Sequence, residues 1–450
     1  MLLDSEFTNE IESNARLDHY LKENNLSQYE GLKDCFTPEI LQVLFEDASL
    51  RPIFLQLLPD EALGQFDYVD TELIESLGIE DFLSQKSVFL PGSPEVANRL
   101  ALAGKKEGRS AITVGVTDRY STEIMGSDFF PVASQRQVYF PLPDGTWLGV
   151  KGSGLLSNEI KMPFSGDRGI VKSEEAEKGK AGYLTFKDAD AKFVQFLAKR
   201  SLKMLPDGDG NLVPVQEEED SEKSPVLVFN RHLTPHRFVK FPQILKADPR
   251  LHNLSKRVSQ AYINMGEIAP GTTLSGAQLI DTTLVEMGKV EAECRNKRKC
   301  AGLIHFQDVT VGGWQTDLEE LVTPDYFVSL TDSEDRRYSL WRMIATRNLF
   351  TKITILGEMV ETISKLHQDD LIPSPFDALS TMLDSYLDSL DTDVLTTVAL
   401  GEPDFDNYKV TISDGILQRF GFQNPDELLN QIHIWAKDKL AQRNEANEIS

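Results

Sequence analysis

The sequence predicts an α+β protein of two lobes, a strand-rich lobe followed by a helical lobe, with a helical extension in front of them. Three observations predict this order. Acid-capped helical patterns fill the first 85 residues, strand patterns dominate the middle of the chain, and amphipathic helical periodicity dominates from about residue 242 onward. The expected segments are therefore residues 1–85, 86–241 and 242–450.

The composition argues against several classes of function. The chain has 450 residues, with 46 Lys or Arg against 71 Asp or Glu, which gives a net charge of −25. This acid excess disfavours nucleic acid as a partner, because the phosphate backbone would be repelled. The 3 cysteines are too few for a disulfide framework, and no apolar run is long enough for a secretory signal or a membrane span. We therefore expect a cytoplasmic protein without membrane or nucleic-acid partners.

The segment 1–85 carries helix-start signals but no catalytic spacing. Thr37 is a candidate N-cap with Pro38 at the first helical position, and two further helices are predicted to open at Asp60 and Thr71. The pattern favours a packing or recognition segment.

A β-hairpin is the strongest local signal in the middle segment. The runs 136–140 and 147–151 are strand-like, and the turn between them contains Asp144-Gly145. Lys151 ends the second run, where a buried ammonium requires an anion. Gly152 and Gly154 follow it and would let the backbone pass close to a ligand. The alternative for Lys151 is a surface lysine whose stem covers apolar neighbours.

Acidic residues at a predicted helix start supply candidate partners for Lys151. Glu174, Glu175 and Glu177 open a helical stretch that could run back against the strand. The alternative is that these acids interact only with the helix dipole.

A basic cluster follows a predicted buried strand, residues 225–229. Arg231, His232, His236 and Arg237 form a candidate anion clamp, because guanidinium groups match phosphate oxygens. A solvated basic loop is the alternative.

Helices are predicted for the rest of the chain. A long helix is expected over 277–294, amphipathic helices over 338–366 and 376–398, and a last helix that Asn424 caps and Pro425 begins.

Two acids after the long helix form a candidate magnesium site. Asp308 and Asp317 lie nine residues apart on either side of Gly312-Gly313, and carboxylates are preferred Mg²⁺ ligands. Two solvated loop acids are the alternative. Asp308 also follows His305 by three residues.

Taken in order, these stretches resemble the protein kinase-like fold and most closely, as a divergent relative, the selenoprotein O family of protein adenylyltransferases. The resemblance covers about residues 135–330. It is carried by 147–155 with 166–177, by 226–238, and by 302–317.

The resemblance implies roles for individual residues. Lys151 would contact the phosphates of ATP, beside the backbone of Gly152 and Gly154, and Glu177 would pair with Lys151. Arg231 and Arg237 would hold ATP in a flipped orientation, in which AMP rather than phosphate is transferred.

The metal site and the partners follow from the same resemblance. Asp317 would bind Mg²⁺, and Asp308 would be a second metal ligand or the base. The implied function is ATP- and Mg²⁺-dependent AMP transfer to a protein or peptide acceptor, which the N-terminal helices could dock. A kinase that transfers the γ-phosphoryl group, and a catalytically weak pseudokinase that acts as a scaffold, are the alternatives.

Overall fold

The computed structural model describes residues 56–57, 63–79, 88–89, 137–142, 144–152, 171–206, 212–215, 224–234, 237–238, 241, 248–296, 301–303, 309–316, 318, 321–322, 331–365, 374–401 and 412–449. These residues form an antiparallel sheet and a mostly helical remainder, which confirms the α+β class. The predicted helix at Thr37 and the candidate residues Gly154, His305, Asp308 and Asp317 lie outside the described residues.

Strands make up most of the described residues up to His232, and helices make up most of those from Asp248 onward. The described strands are β1 Gln56–Leu57, β2 Leu63–Val69, β3 Val88–Phe89, β4 Gln137–Pro141, β5 Trp147–Lys151, β6 Val171–Lys172, β7 Gln195–Leu202, β8 Met204–Pro206, β9 Leu212–Pro214, β10 Pro225–His232, β11 Ala301–Leu303 and β12 Leu321–Val322. The described helices are α1 Thr71–Leu77, α2 Ser173–Phe186, α3 Asp248–Asn264, α4 Gly276–Arg295, α5 Glu334–Lys365, α6 Pro375–Ser389, α7 Thr392–Gly401, α8 Asp414–Arg419 and α9 Pro425–Ile449.

The chain divides into two compact units. The first comprises the described parts of Met1–Glu177 together with Gln195–His236 and Gln260–Glu267. The second comprises Lys178–Val194, Arg237–Ser259 and the described parts of Ile268–Ser450. No helix in the described ranges is both long and apolar enough to cross a lipid bilayer.

The first unit is built on one antiparallel sheet. Its strand order is β2-β7-β10-β5-β4, and β6 pairs with the start of β10. The central strand β10 and its neighbour β5 are buried almost throughout, because both are covered on both faces. Leu148, Leu197, Leu227 and Phe229 are completely inaccessible to solvent and form the centre of this core.

The predicted hairpin is present. Gln137 pairs with Lys151 and Pro141 with Trp147, and the turn between these strands contains Gly145 at φ 90°. Asp144 accepts hydrogen bonds from the backbone N–H and the hydroxyl of Thr146, which closes the turn as aspartate commonly does.

The second unit is mainly helical. Helix α4 starts with a capping box in which Ser275 and Gln278 satisfy each other's backbone N–H groups. Its last residue, Arg295, is buried and donates hydrogen bonds to the carbonyl of Arg342 and the hydroxyl of Thr346 on α5. These bonds anchor the end of α4 on α5. The predicted cap of the last helix is confirmed, since Asn424 accepts a hydrogen bond from the N–H of Glu427.

Two secondary-structure predictions were wrong for tertiary reasons. A helix was predicted to open at Asp60, but residues 63–69 form β2, which pairs with β7 at the edge of the sheet. The single helix predicted over 376–398 is divided into α6 and α7. The side chain of Asn296 stabilises the break, because its amide donates to the carbonyl of Ser389 and accepts from the N–H of Asp391.

Candidate functional site

Two lysines lie on one face of the sheet in the first unit. Lys151 on β5 and Lys199 on β7 are both directly opposite Val228 of the central strand. Residues that are opposite one another point to the same face, and neighbouring strands are about 4.8 Å apart, so the two Cα atoms are roughly 10 Å apart. Both lysines are only 7% exposed. The sheet therefore carries two nearly buried lysines on one face, on either side of Val228.

The helix after β6 supplies an acid to this face. Glu177 lies one turn into α2, and its Oε1 is 2.6 Å from Nζ of Lys199. Nζ of Lys199 also donates to Oγ of Ser173 at 3.2 Å and lies 3.8 Å from Oδ2 of Asp67. The structure thus gives Glu177 a lysine partner on β7. The predicted pairing of Glu177 with Lys151 stays a prediction.

Gly152 follows Lys151 in a conformation that requires glycine. Its φ is +93°, and a Cβ atom placed on it would collide with the backbone carbonyl oxygen of Val226. The chain therefore leaves β5 pressed against β10, without room for a side chain. The predicted close approach of this backbone to a ligand stays a prediction, because the neighbour here is the protein's own strand β10.

Substituting Gly152 is expected to destabilise the protein through both strain and collision. We expect Gly152→Ala to lower the free energy of unfolding by about 3 kcal/mol, because an unfavourable φ alone costs about 1–3 kcal/mol. Gly266→Ala is the matched control, since Gly266 also has a positive φ, +77°, but open space around it. The control should cost about 1–2 kcal/mol. Equal losses for both variants in urea unfolding would show that the carbonyl of Val226 does not confine this position.

Arg231 points away from the two lysines. It is opposite Leu148 on β5, three residues from Lys151, and successive side chains along a strand alternate between faces. Arg231 and Lys151 therefore lie on opposite faces of the sheet.

The guanidinium of Arg231 binds the hairpin turn and the neighbouring strand. Its Nη2 is 2.6 Å from Oδ2 of Asp144, its Nε donates to Oγ1 of Thr146 at 3.1 Å, and its Nη1 donates to Oε1 of Gln195 at 2.6 Å. The side chain of Arg231 is 9% exposed. These contacts account for a buried arginine by structure alone, so the predicted contact with ATP stays a prediction.

A tight hairpin lies between the two candidate metal ligands in the second unit. Val309 and Gln315 form an antiparallel bridge, and the N–H of Thr310 donates to the carbonyl of Trp314 at 2.9 Å. Gly313, at φ +94°, leaves no space for a Cβ atom against Glu286. The glycine pair that the sequence singled out thus forms the turn of a buried hairpin, residues 309–316, called the acid hairpin below because Asp308 and Asp317 flank it in sequence.

Arg237 is bound to both strands of the acid hairpin. Its backbone forms an antiparallel bridge with Thr310, and the N–H of Phe238 donates to the carbonyl of Val309 at 2.7 Å. Nη1 of Arg237 donates to Oγ1 of Thr316, the residue directly before Asp317. The structure therefore brings Arg237 to the hairpin that the sequence proposed as the metal loop, whereas Arg231 belongs to the first unit.

Gln315 anchors the acid hairpin to two other elements. Its N–H donates to the carbonyl of Lys192 at 3.0 Å, and its carbonyl accepts from the N–H of Val194 at 2.7 Å. Its side-chain Oε1 accepts from Nζ of Lys352 on α5 at 3.2 Å. Gln315 is completely inaccessible to solvent.

Lys352 is held in turn by an acid on α4. Nζ of Lys352 is 3.8 Å from Oε1 of Glu291, and both side chains are 4% exposed. Burial raises the pKa of the Glu291 carboxyl, and the Lys352 ammonium opposes part of that rise. Oε2 of Glu291 has no hydrogen-bond partner among the described residues. The buried ion pair of Lys352 and Glu291 thus contacts the acid hairpin through the side chain of Gln315.

The described residues hold no preformed metal site. Among them, no group of three His, Cys, Asp or Glu side chains is arranged to hold a metal ion. The predicted ligands Asp308 and Asp317 lie outside the described residues, and their role in binding Mg²⁺ stays a prediction.

The comparisons with known proteins identify no family. The chain matches no protein-family model, and no curated protein is significantly similar to it. The relationship to the selenoprotein O family therefore stays a prediction that rests on the motif residues.

Sequence reasoning missed the residues that support the site. Lys199 pairs with Glu177, and Gln315, Lys352 and Glu291 support the acid hairpin. Lys199 lies in a strand pattern that marks it as a β residue, but only the register with β10 places it beside Lys151. Lys352 and Glu291 occupy core-facing positions of helices, where a charged residue is itself a signal.

Proposed function

We propose that the chain is an ATP- and Mg²⁺-dependent transferase with a kinase-like arrangement, which moves AMP from ATP to a hydroxyl group of a protein or peptide acceptor. One observation carries the proposal. Lys151 ends β5, and Glu177 of helix α2, which follows β6, directs its carboxylate to Lys199 on the sheet face on which Lys151 lies. A strand lysine and a helix glutamate are the pair that kinase-like folds use to hold nucleotide phosphates.

Arg237 and the acid hairpin of the second unit support the remainder of the proposal. Kinase-like catalysis needs carboxylates for Mg²⁺ and cations for the phosphates. Asp308 directly precedes Val309 in the sequence, and Asp317 directly follows Thr316, so the two proposed metal ligands adjoin the acid hairpin in sequence. Arg237 donates a hydrogen bond to Thr316 and would supply a guanidinium for the phosphates.

The proposed reaction is a displacement at the α-phosphorus. The acceptor oxygen forms a bond to the α-phosphorus, the bond between that phosphorus and the bridging oxygen of the β-phosphate breaks, and pyrophosphate leaves with the electron pair. The proton of the acceptor hydroxyl passes to a carboxylate, for which Asp308 is the candidate. Lys151 and Arg237 would neutralise the phosphate charge, and Mg²⁺ held by Asp317 would supply further positive charge when bound.

Isotopic labelling distinguishes AMP transfer from phosphoryl transfer. The full chain is incubated with Mg²⁺ and ATP labelled at either the α- or the γ-phosphate, alone and with a mixture of peptides that contain Ser, Thr and Tyr. We expect α-label on protein or peptide, pyrophosphate in solution, and the mass of an adenylyl group by mass spectrometry. Label from the γ-phosphate alone, with release of ADP, would establish a kinase instead.

A thermal shift assay tests the scaffold alternative. Ligand binding stabilises a fold by about 2.7 kcal/mol at a hundredfold excess over Kd. We expect ATP with Mg²⁺ to raise the unfolding temperature and AMP at the same concentration to raise it less. An unchanged unfolding temperature at millimolar ATP would favour the scaffold over the enzyme.

A further inference from the structure

Lys199 connects three elements of the first unit through one ammonium group. Its Nζ donates to Oε1 of Glu177 at 2.6 Å and to Oγ of Ser173 at 3.2 Å, and both residues belong to the start of α2. The same Nζ lies 3.8 Å from Oδ2 of Asp67 on the edge strand β2. Lys199 itself belongs to β7, an inner strand of the sheet. One side chain therefore ties the start of a helix and the edge of the sheet to the sheet interior.

Backbone and side-chain contacts both fix the start of α2. The N–H of Ser173 donates to the backbone carbonyl of Ser224 at 2.9 Å, directly before the central strand β10 begins. Ser173 and Glu177 are four residues apart and therefore lie on the same side of the helix, which is the side that Lys199 contacts. The backbone contact sets where the helix begins, and the ammonium favours the rotation of the helix in which this side faces the sheet.

The exposure of the three charged side chains differs sharply. The side chain of Lys199 is 8% exposed, whereas those of Glu177 and Asp67 are 45% and 42% exposed. A buried ammonium requires polar or anionic partners, and Lys199 has them within the protein. Each carboxylate, in contrast, can be solvated when the lysine is removed. We therefore expect Lys199 to act on its neighbours rather than on a ligand, and its loss to leave no buried unpaired charge.

The contact with Lys199 holds Glu177 at the sheet face that carries Lys151. Lys151 and Lys199 are both directly opposite Val228 of β10, so Glu177 reaches this face on its β7 side. We propose that Lys199 is a positioning residue that holds the carboxylate of Glu177 at the proposed nucleotide site. This inference rests on the proposed function, in which Glu177 and Lys151 hold the phosphates of ATP. Lys199 itself would contact neither ATP nor the acceptor.

Hydrogen exchange tests the contact without requiring activity. Lys199→Met removes the ammonium and keeps an unbranched side chain of similar volume. We expect amides near the start of α2 to exchange about fivefold faster or more in this variant, because the helix start has lost an anchor on β7. Asp67→Asn is the matched control, since it removes a charge beside the same ammonium but leaves the contact with Glu177 intact. Its exchange at α2 should equal that of the wild type.

Steady-state kinetics tests the effect on catalysis. Initial rates of transfer from ATP labelled at the α-phosphate are measured for Lys199→Met, Glu177→Gln and the double variant. Orienting a catalytic group typically contributes about 10-fold to 100-fold in rate, so we expect Lys199→Met to lower kcat by about tenfold with little change in KM for ATP. Because Lys199 would act through Glu177, the double variant should be no slower than Glu177→Gln alone. Lys199→Arg keeps the charge and should recover part of kcat.

The possible outcomes separate this inference from the proposed function. A folded Lys199→Met variant with wild-type or raised kcat, or single losses that multiply in the double variant, would overturn the role of Lys199 and leave the transferase intact. Asp67→Asn should keep the wild-type kcat. An equal loss in Asp67→Asn would show that the charge of the cluster matters rather than the contact with Glu177, which also overturns the inference. If the wild type transfers no label from ATP, the proposed function fails and the inference fails with it.

Discussion

Lys151→Met is expected to reduce ATP-dependent labelling of the acceptor by two to three orders of magnitude. Removing one preorganised electrostatic contact to the reacting group typically lowers kcat by about 10²–10³. The fold should persist, because methionine has a similar volume and Glu177 still has Lys199 as an ion-pair partner. The measurement is initial-rate labelling from ATP labelled at the α-phosphate, with the unfolding temperature recorded in parallel.

Variants of two other lysines, Lys203 and Lys199, test whether the loss of labelling is specific to Lys151. Lys203→Met is the matched control, since Lys203 is an exposed residue just after β7, and its labelling rate should equal that of the wild type. Lys199→Met should lower stability by removing the partner of Glu177, yet retain ATP binding. If Lys199→Met loses labelling while Lys151→Met keeps it, the phosphate ligand is Lys199 and the assignment of Lys151 is wrong.

Arg231→Met is expected to lower the free energy of unfolding by about 2–4 kcal/mol. Removing one partner of a buried ion pair costs about 3–5 kcal/mol, and the 20% exposure of the Asp144 side chain reduces this figure. Hydrogen bonds to Thr146 and Gln195 are lost as well. For a unit of about 200 residues, this loss corresponds to a fall in unfolding temperature of roughly 5–10 °C, which calorimetry can measure.

Two further variants separate structure from ATP binding at Arg231. Arg231→Lys keeps the charge but cannot reach three partners at once, so we expect only partial recovery of stability. Arg200→Met is the matched control, because Arg200 is on the neighbouring strand and donates from Nε to the carbonyl of Gly64, and its loss should cost about 1 kcal/mol. An Arg231→Lys variant with wild-type stability and no affinity for ATP would instead support the role implied by the resemblance.

Local sequence signals were sufficient to predict those elements whose structure is determined by residues close in sequence. The hairpin of β4 and β5 follows from two strand patterns around an Asp-Gly turn, and Asp144 closes that turn through contacts two residues away. The last helix follows from Asn424 and Pro425, whose effect on a helix start is equally local. These elements could be predicted because their stabilising contacts are close in sequence.

Contacts between residues distant in sequence determined the elements that local sequence patterns did not predict. Residues 63–69 form an edge strand because their backbone groups pair with those of β7, although the sequence from Asp60 onward resembles a helix start. The break between α6 and α7 depends on Asn296, which lies about ninety residues earlier. In each case, a hydrogen-bonding partner from another element outweighs the local propensity.

The sequence by itself determined the α+β class, the hairpin that ends in Lys151, and the two acids around a glycine turn. Only the tertiary structure decided that Glu177 meets Lys199, that Arg231 binds the hairpin turn, and that Arg237 reaches the acid hairpin. The physical reason is strand register. A shift of one residue reverses the face to which every side chain points, and no pattern within a single strand specifies the partner across the sheet.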